Sequence, residues 1–282
     1  KGSMKGNAMI NSFTIEQIRV AAPLVHCITN YVTVNDVANV LLAIGARPIM
    51  ADECAEAAEI TALCAGLCLN IGTLNARTIP GMLAAGRCAR ELQHPIVLDP
   101  VGAGASALRT ETALRILNEV RPTALRGNIS EIRALAVHAK TTQGVDANAA
   151  DAVTEENLAA SAEFVRAFAA RTNAIVVATG AIDLITDGVR CYAVRNGRPM
   201  MGRVTGTGCQ LSALIAAALS AAPKDPLEAA VMTVALMGAA GEMGEERLQV
   251  GEGNASYRTK IIDAVDCMRS ETLAARMRVE ML

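Results

Sequence analysis

Asp99, Arg126 and Glu131, with the loop Gly206-Thr207-Gly208-Cys209, are where this 282-residue chain holds the makings of chemistry. The loop leads into Leu211, Leu214, Ile215, Ala218 and Leu219, whose i, i+3, i+4, i+7, i+8 spacing is one buried helical face, and Pro223 closes the run. The loop therefore stands where a helix begins. Backbone N–H groups there lack intrahelical partners, the helix dipole is positive, and glycines let a ligand come close. Those are the properties of a phosphate site. A tight turn ahead of a packed helix has the same spacing, so the other residues must decide. Two carboxylates can hold Mg²⁺ together with water, and an arginine can neutralise a phosphoryl group in transfer. Singly, Asp99 could be a helix cap, Arg126 a surface ion pair and Glu131 part of a solvated helix face.

These residues need elements to position them, and the chain supplies an alternating series. Short, uniformly apolar strands are expected at 24–28, 47–50, 67–71, 95–98, 123–126 and 174–178. Helical patterns separate them at 34–44, 53–65, 76–92, 110–120 and 155–171, and Gly45 has the character of a helix C-terminal glycine. Such a series predicts a parallel sheet covered on both faces. The dipeptides Asp187-Gly188 and Asn196-Gly197 favour hairpin turns, with an antiparallel edge strand at 189–195 between them. Helices near 227–243 and 257–268 end the chain. The stretch 144–151 is polar and loop-like. Ligands of open α/β sheets bind beyond the carboxyl ends of the strands. Here those ends carry Asn30, Met50, Gly72, Asp99, Arg126-Gly127-Asn128 and Thr179-Gly180. Placement after two core strands assigns Asp99 and Glu131 to a metal rather than to the fold.

Composition narrows the partners. Apolar residues make up 52% of the chain, too many for disorder, while aromatics are 2% and Trp is absent, so a pocket would be lined by aliphatics, Met and backbone. A net charge of −2 gives no reason to expect nucleic acid or an anionic membrane. The eight cysteines form no framework and read as reduced, buried, cytoplasmic thiols. Cys64 and Cys68 lack the partners of a zinc site. No signal peptide and no apolar run of membrane-spanning length is expected. Lys1-Gly2-Ser3 reads as an expression scar; residues 1–14 are expected to be tag and extension, and 15–282 a single domain.

Other classes leave weaker traces. No G-x-x-x-x-G-K-[ST] string exists, which excludes a P-loop. Gly102 to Ala107 fits the loose G-x-G-x-x-A dinucleotide pattern, so an NAD(P)-dependent oxidoreductase is the second reading and a non-catalytic nucleotide-binding protein the third.

VHCITNYV at 25–32, DPVGAG at 99–104, RGNISE at 126–131, TG at 179–180 and RVTGTGC at 203–209 resemble the hydroxyethylthiazole kinase family, in order, over about residues 15–267. The resemblance implies a ribokinase-like, three-layer α/β/α fold, mainly parallel with an antiparallel edge. It implies phosphorylation of the primary hydroxyl of 4-methyl-5-(2-hydroxyethyl)thiazole by Mg-ATP in thiamine salvage, by a cytoplasmic homotrimer with pockets shared between subunits. On that resemblance Glu131, in an N-x-x-E motif with Asn128, and Asp99 serve Mg²⁺. Arg126 and Thr179, with Asn128 and Gly180, contact ATP. Met50 and Gly206 bind the thiazole, and Asn30 and Val32 reach into a neighbour's pocket. Cys209, flanked by Gly206 and Gly208, replaces the aspartate base usual in this fold. A helix N-terminus is expected to lower its thiol pKa from about 8.5. His26 is expected to be a core histidine.

Overall fold

The run Ile96-Val97-Leu98 shows why the sheet is covered on both sides. In the computed structural model, which describes residues 13–138 and 152–282, Val97 enters one apolar cluster while Ile96 and Leu98 enter the other. Period-2 alternation with both faces apolar is the mark of a doubly covered parallel sheet. The elements run α1 (Ile15–Ala21), β1 (Leu24–Ile28), α2 (Val34–Ile44), β2 (Arg47–Met50), α3 (Cys54–Leu63), β3 (Gly66–Asn70), α4 (Thr78–Glu91), β4 (Ile96–Asp99), α5 (Ala107–Glu119), β5 (Ala124–Asn128) and α6 (Ile129–His138). They continue with α7 (Leu158–Thr172), β6 (Ile175–Thr179), β7 (Asp183–Thr186), β8 (Cys191–Val194), α8 (Thr207–Ala221), α9 (Pro226–Glu246), α10 (Asn254–Cys267), α11 (Ser270–Arg276) and β9 (Val279–Met281). The stretch 144–151 lies outside the described residues.

The nine strands of the described residues form one sheet in the order β2-β1-β3-β4-β5-β6-β7-β8-β9, parallel through β6 and antiparallel beyond it. Buried residues of α1, α2, α8, α9, α10 and α11 pack on one face, and those of α3 to α7 on the other. This is the expected three-layer α/β/α architecture. The order reverses at β1 and β3, whose following helices lie on opposite faces, which opens a crevice at their carboxyl ends. α8 packs across β1, β3 and β4 and aims its N-terminus at that crevice. Gly45 closes α2 with φ +94°, as its type predicts, its N–H bonding the carbonyls of Leu41 and Leu42.

Several expectations need correction. β8 is not an edge strand, because β9 pairs with it antiparallel. Asp187-Gly188 does turn the β7–β8 hairpin, but Asn196-Gly197 leads into a 3₁₀ turn, Pro199–Arg203. Phe13 is buried in the core and Thr14 caps α1, so the fold starts before residue 15. α9 is long and apolar enough to cross a membrane, yet its apolar stretch is buried inside the structure and serves as a core helix. Cys54 and Cys267 are exposed, unlike the buried thiols expected.

Candidate active site

Asn30, just past β1, meets Asn70, at the end of β3, because these parallel strands are neighbours. Its amide donates to Asn70 Oδ1 at 3.0 Å and to Cys209 Sγ at 3.2 Å, while its own oxygen accepts from the Thr33 N–H and hydroxyl. Asn70 passes the chain on, donating to Asp99 Oδ2 at 2.8 Å, and the Ser212 hydroxyl donates to the same oxygen at 2.8 Å. Asp99 is fully buried. Its Oδ1 has no hydrogen-bond partner among the described residues and faces Arg126 Nη1 at 3.6 Å. Arg126 Nη2 donates to Thr179 Oγ1 at 2.7 Å. Burial raises the Asp99 pKa, and the nearby guanidinium opposes the rise. Asparagine, thiol, carboxylate, guanidinium and hydroxyl thus form one connected network along the strand ends.

The head of α8 lies against this network. Gly206 is its N-cap, with φ +91°, a conformation that disfavours any side chain. Gly208 touches Arg126 so closely that a Cβ there would overlap the guanidinium. Cys209 departs from expectation: its thiol pKa is raised, by burial first and the Asp99 charge second, against the lowering effect of Thr33, Asn30 and Asn70. At neutral pH it is a thiol.

Glu131 is a second correction. Its Oε2 accepts the Asn128 N–H and Asn128 Oδ1 accepts the Glu131 N–H, both at 2.8 Å, a reciprocal cap on α6. Its Oε1 accepts the Gly102 N–H at 2.8 Å. Glu131 therefore serves the fold, whatever else it does. The same bond weakens the dinucleotide reading of 102–107. The N–H groups of Gly102 and Gly104 are occupied, by Glu131 and by the Thr110 hydroxyl, so no N–H pair of those glycines faces a pyrophosphate.

On the other side of Arg126 opens a cleft of about 520 Å³. Arg126, Thr179, Thr207 and Gly208 form its polar end, and Met201, Leu211, Val234 and Met237 its apolar end. Asp183 also lines it, its Oδ1 accepting the Gly180 N–H at 2.9 Å. The sequence reading missed Asp183, Asn196, Met201, Val234 and Met237. α9 is apolar on all sides, so no periodicity marks Val234 and Met237 as facing a cavity, and Asn196 was masked by its turn-forming dipeptide. Of the expected ATP contacts, Arg126, Thr179 and Gly180 line the cleft, while Asn128 lies away from it in the α6 cap. Met50 ends β2, partly buried against the core. Asn30 is buried and bonded within its own chain to Asn70, Cys209 and Thr33, whereas Val32 is 60% exposed. His26 is the expected core histidine: its ring bonds Thr61 Oγ1 and the Ala51 carbonyl, and burial lowers its pKa.

Against this geometry, the model of the hydroxyethylthiazole kinase family matches residues 15–271. The chain belongs to this family. It is therefore an enzyme, a phosphotransferase, which removes the oxidoreductase and non-catalytic readings. It is 51% identical over 266 residues to a hydroxyethylthiazole kinase of Clostridium acetobutylicum, covering 94% of this chain and 97% of that protein. A hydroxyethylthiazole kinase of Desulfovibrio desulfuricans is 45% identical over 273 residues, with 94% and 96% covered. The solved hydroxyethylthiazole kinase of Pyrococcus horikoshii superposes with a TM-score of 0.84 at 35% identity over 95% of this chain and 97% of that one. A pyridoxal kinase of Staphylococcus aureus, solved with AMP-PCP, shares the fold at 14% identity and a TM-score of 0.60, covering 92% and 98%.

Asp183 gives this kinase a pH signature. Desolvation raises its carboxyl pKa to about 7, against the Gly180 N–H and the Arg126 charge. A carboxyl whose pKa is raised on folding withdraws stability as pH climbs from its unfolded value through the folded one. Asp183→Asn keeps an oxygen for the Gly180 N–H and removes the charge. It is expected to raise Tm by several degrees at pH 8 and by much less at pH 5, read from melting curves at the two values.

Proposed function

We propose that this kinase transfers the γ-phosphoryl group of ATP to the primary hydroxyl of 4-methyl-5-(2-hydroxyethyl)thiazole, with Mg²⁺ as its metal. The observation that carries the reading is Arg126, held between Asp99, Thr179 and the head of α8, at the junction of the cleft and the Cys209 network. On this reading ATP occupies the cleft, base toward Met201 and Met237, phosphates toward Arg126, Thr179 and the α8 N-terminus. The thiazole alcohol lies on the Cys209 side, against Met50 and Gly206. Its hydroxyl points at the first turn of α8, where charge developing on the moving phosphoryl group meets N–H dipoles and a guanidinium.

The donor set suits Mg²⁺. Asp99 Oδ1 is a buried acceptor without a hydrogen bond, and hard carboxylate oxygens with room for water and phosphate are what this ion takes. Asp99 and Glu131 would hold it, Glu131 through the lone pairs its capping bonds leave free, and the ion would neutralise phosphate charge. Arg126 and the α8 backbone orient the phosphoryl group, while Cys209 and Asn30 fix the alcohol oxygen. Phosphoryl transfer passes through a loose transition state, so positioning and charge stabilisation outweigh early removal of the hydroxyl proton. A neutral thiol is adequate for that role. Cys209→Ala is accordingly expected to lose less than about 10²-fold in kcat, below the upper range for deletion of a true general base. Steady-state kinetics with the thiazole alcohol and Mg-ATP check this, and a loss beyond 10³-fold makes the thiol a base.

The reading extends to a single kinase domain over residues 13–282, in the cytoplasm, assembled as a homotrimer with pockets at subunit boundaries. Tyr31 and Val32, 75% and 60% exposed beside Asn30, are apolar surface where such a boundary would lie. Sedimentation velocity on the purified chain reads the stoichiometry. The activity is tested by ADP release against a panel of primary alcohols. ADP formation that depends on the thiazole alcohol and stops when a chelator removes divalent metal supports the proposal, and no preference for that alcohol refutes the substrate assignment.

A further inference from the structure

Among the described residues, no side chain at the apolar end of the cleft is free to read the edge of a base. Asn196 is the one side-chain amide among the described lining residues, and all of it is engaged: Oδ1 accepts the Arg278 N–H at 2.7 Å, and Nδ2 donates to the Arg276 carbonyl at 2.9 Å and to Glu242 Oε1 at 3.3 Å. The Gly197 N–H is spent on the same Glu242 oxygen, at 2.9 Å. The Arg198 guanidinium pairs with Glu245 at 3.1 Å. Glu242 is itself a buried carboxylate compensated by Arg278, so freeing Asn196 would leave a charge unpaired inside the protein. The C-terminal segment thus locks this wall in place. What remains facing the base is Met201, Leu211, Val234, Met237 and the backbone of Gly197 and Gly238. Gly238 lies so near the Asn196 backbone that a Cβ there would meet it at 2.6 Å, which keeps the slot narrow.

A slot of this kind holds a purine by shape and dispersion. Methionine is flexible and polarisable and suits flat rings of differing edge chemistry. Sites that discriminate strongly do so through buried polar groups left unpaired by the wrong ligand, and here the side-chain polar groups are already paired. We infer that the enzyme accepts purine nucleoside triphosphates as a class, GTP and ITP alongside ATP, as phosphoryl donors of comparable efficiency. The inference rests on the cleft being the nucleotide site. In each case the bond between the γ-phosphorus and the β,γ-bridging oxygen breaks and one to the alcohol oxygen forms. The nucleoside diphosphate leaves, and the hydroxyl proton passes to solvent.

The test is kcat/KM for ATP, GTP and ITP at saturating thiazole alcohol and Mg²⁺, with calorimetric titration of ADP, GDP and IDP into the same protein. Efficiencies and dissociation constants within about tenfold of one another are expected. A GTP or ITP efficiency, or a GDP or IDP affinity, more than tenfold below that of the adenine nucleotide overturns the inference while leaving the kinase assignment intact. Failure of all three diphosphates to bind overturns both it and the placement of the nucleotide in the cleft. Diphosphates that bind equally while no triphosphate is consumed keep the base-blind slot and refute the proposed reaction instead.

Discussion

Arg126→Ala is expected to lower kcat/KM for ATP by about 10³-fold, the scale on which an arginine stabilising a transferring phosphoryl group acts. Among the described residues that line the cleft the other cation is Arg198, and it is paired with Glu245. Arg126→Lys should recover only part of the loss, because the fork that reaches both Thr179 and Asp99 becomes a single ammonium. The alanine variant carries a second signature. Asp99 keeps Asn70 and Ser212 but loses the one counter-charge in contact among the described residues, so stability should fall by roughly 3–5 kcal/mol at pH 8, as when one partner of a buried pair is removed. The sign follows from the charge: a carboxyl with a raised folded pKa is penalised above that pKa and relieved below it, so the deficit shrinks toward pH 5. Steady-state kinetics and melting curves at both pH values check the pair of effects.

Gly206→Ala should damage both stability and activity, and by a different route. The position has φ +91°, and a Cβ would stand 2.5 Å from Thr33 Cγ2. Left-handed backbone and overlap together are expected to cost roughly 2–3 kcal/mol. Thr33 bonds Asn30, and Asn30 bonds Cys209, so the displacement passes to the alcohol side, where kcat/KM should fall at least about 10²-fold. Gly208→Ala acts through the guanidinium instead. Gly208 is helical, but its Cβ would overlap Arg126 Nη1, the nitrogen that faces Asp99, so KM for ATP should rise and Tm should fall more at pH 8 than at pH 5. A Gly206→Ala protein with unchanged melting and unchanged kinetics would contradict the part given to this loop.

What could be read from the sequence follows the physics of each residue. The parallel strands and the helix at Gly206 were legible because uniform apolar runs and an i, i+3, i+4 stripe have few alternative solutions. Asp99, Arg126 and Thr179 were legible because residues at the carboxyl ends of parallel strands converge on one edge. The double duty of Glu131 was not, although Asn128-x-x-Glu131 satisfies the pattern of a capping box, because the motif's resemblance to a metal site drew the reading away from the backbone. The thiol of Cys209 was misjudged because the helix terminus is visible in sequence, while burial beside Asp99 is a tertiary fact. β9 could not be seen at all: three residues with no alternation become a strand only because β8 offers an open edge and Asn196 anchors the approach to it. The apolar end of the cleft was hidden for the opposite reason, since Val234 and Met237 sit in a helix apolar on every side.

Whether the γ-phosphoryl group goes to an alcohol oxygen rather than to water is read by ³¹P NMR of the purified enzyme turning over Mg-ATP and 4-methyl-5-(2-hydroxyethyl)thiazole. One phosphomonoester of the thiazole alcohol per ADP is predicted, while ADP accompanied by inorganic phosphate alone, or ATP left intact, would contradict transfer to the alcohol.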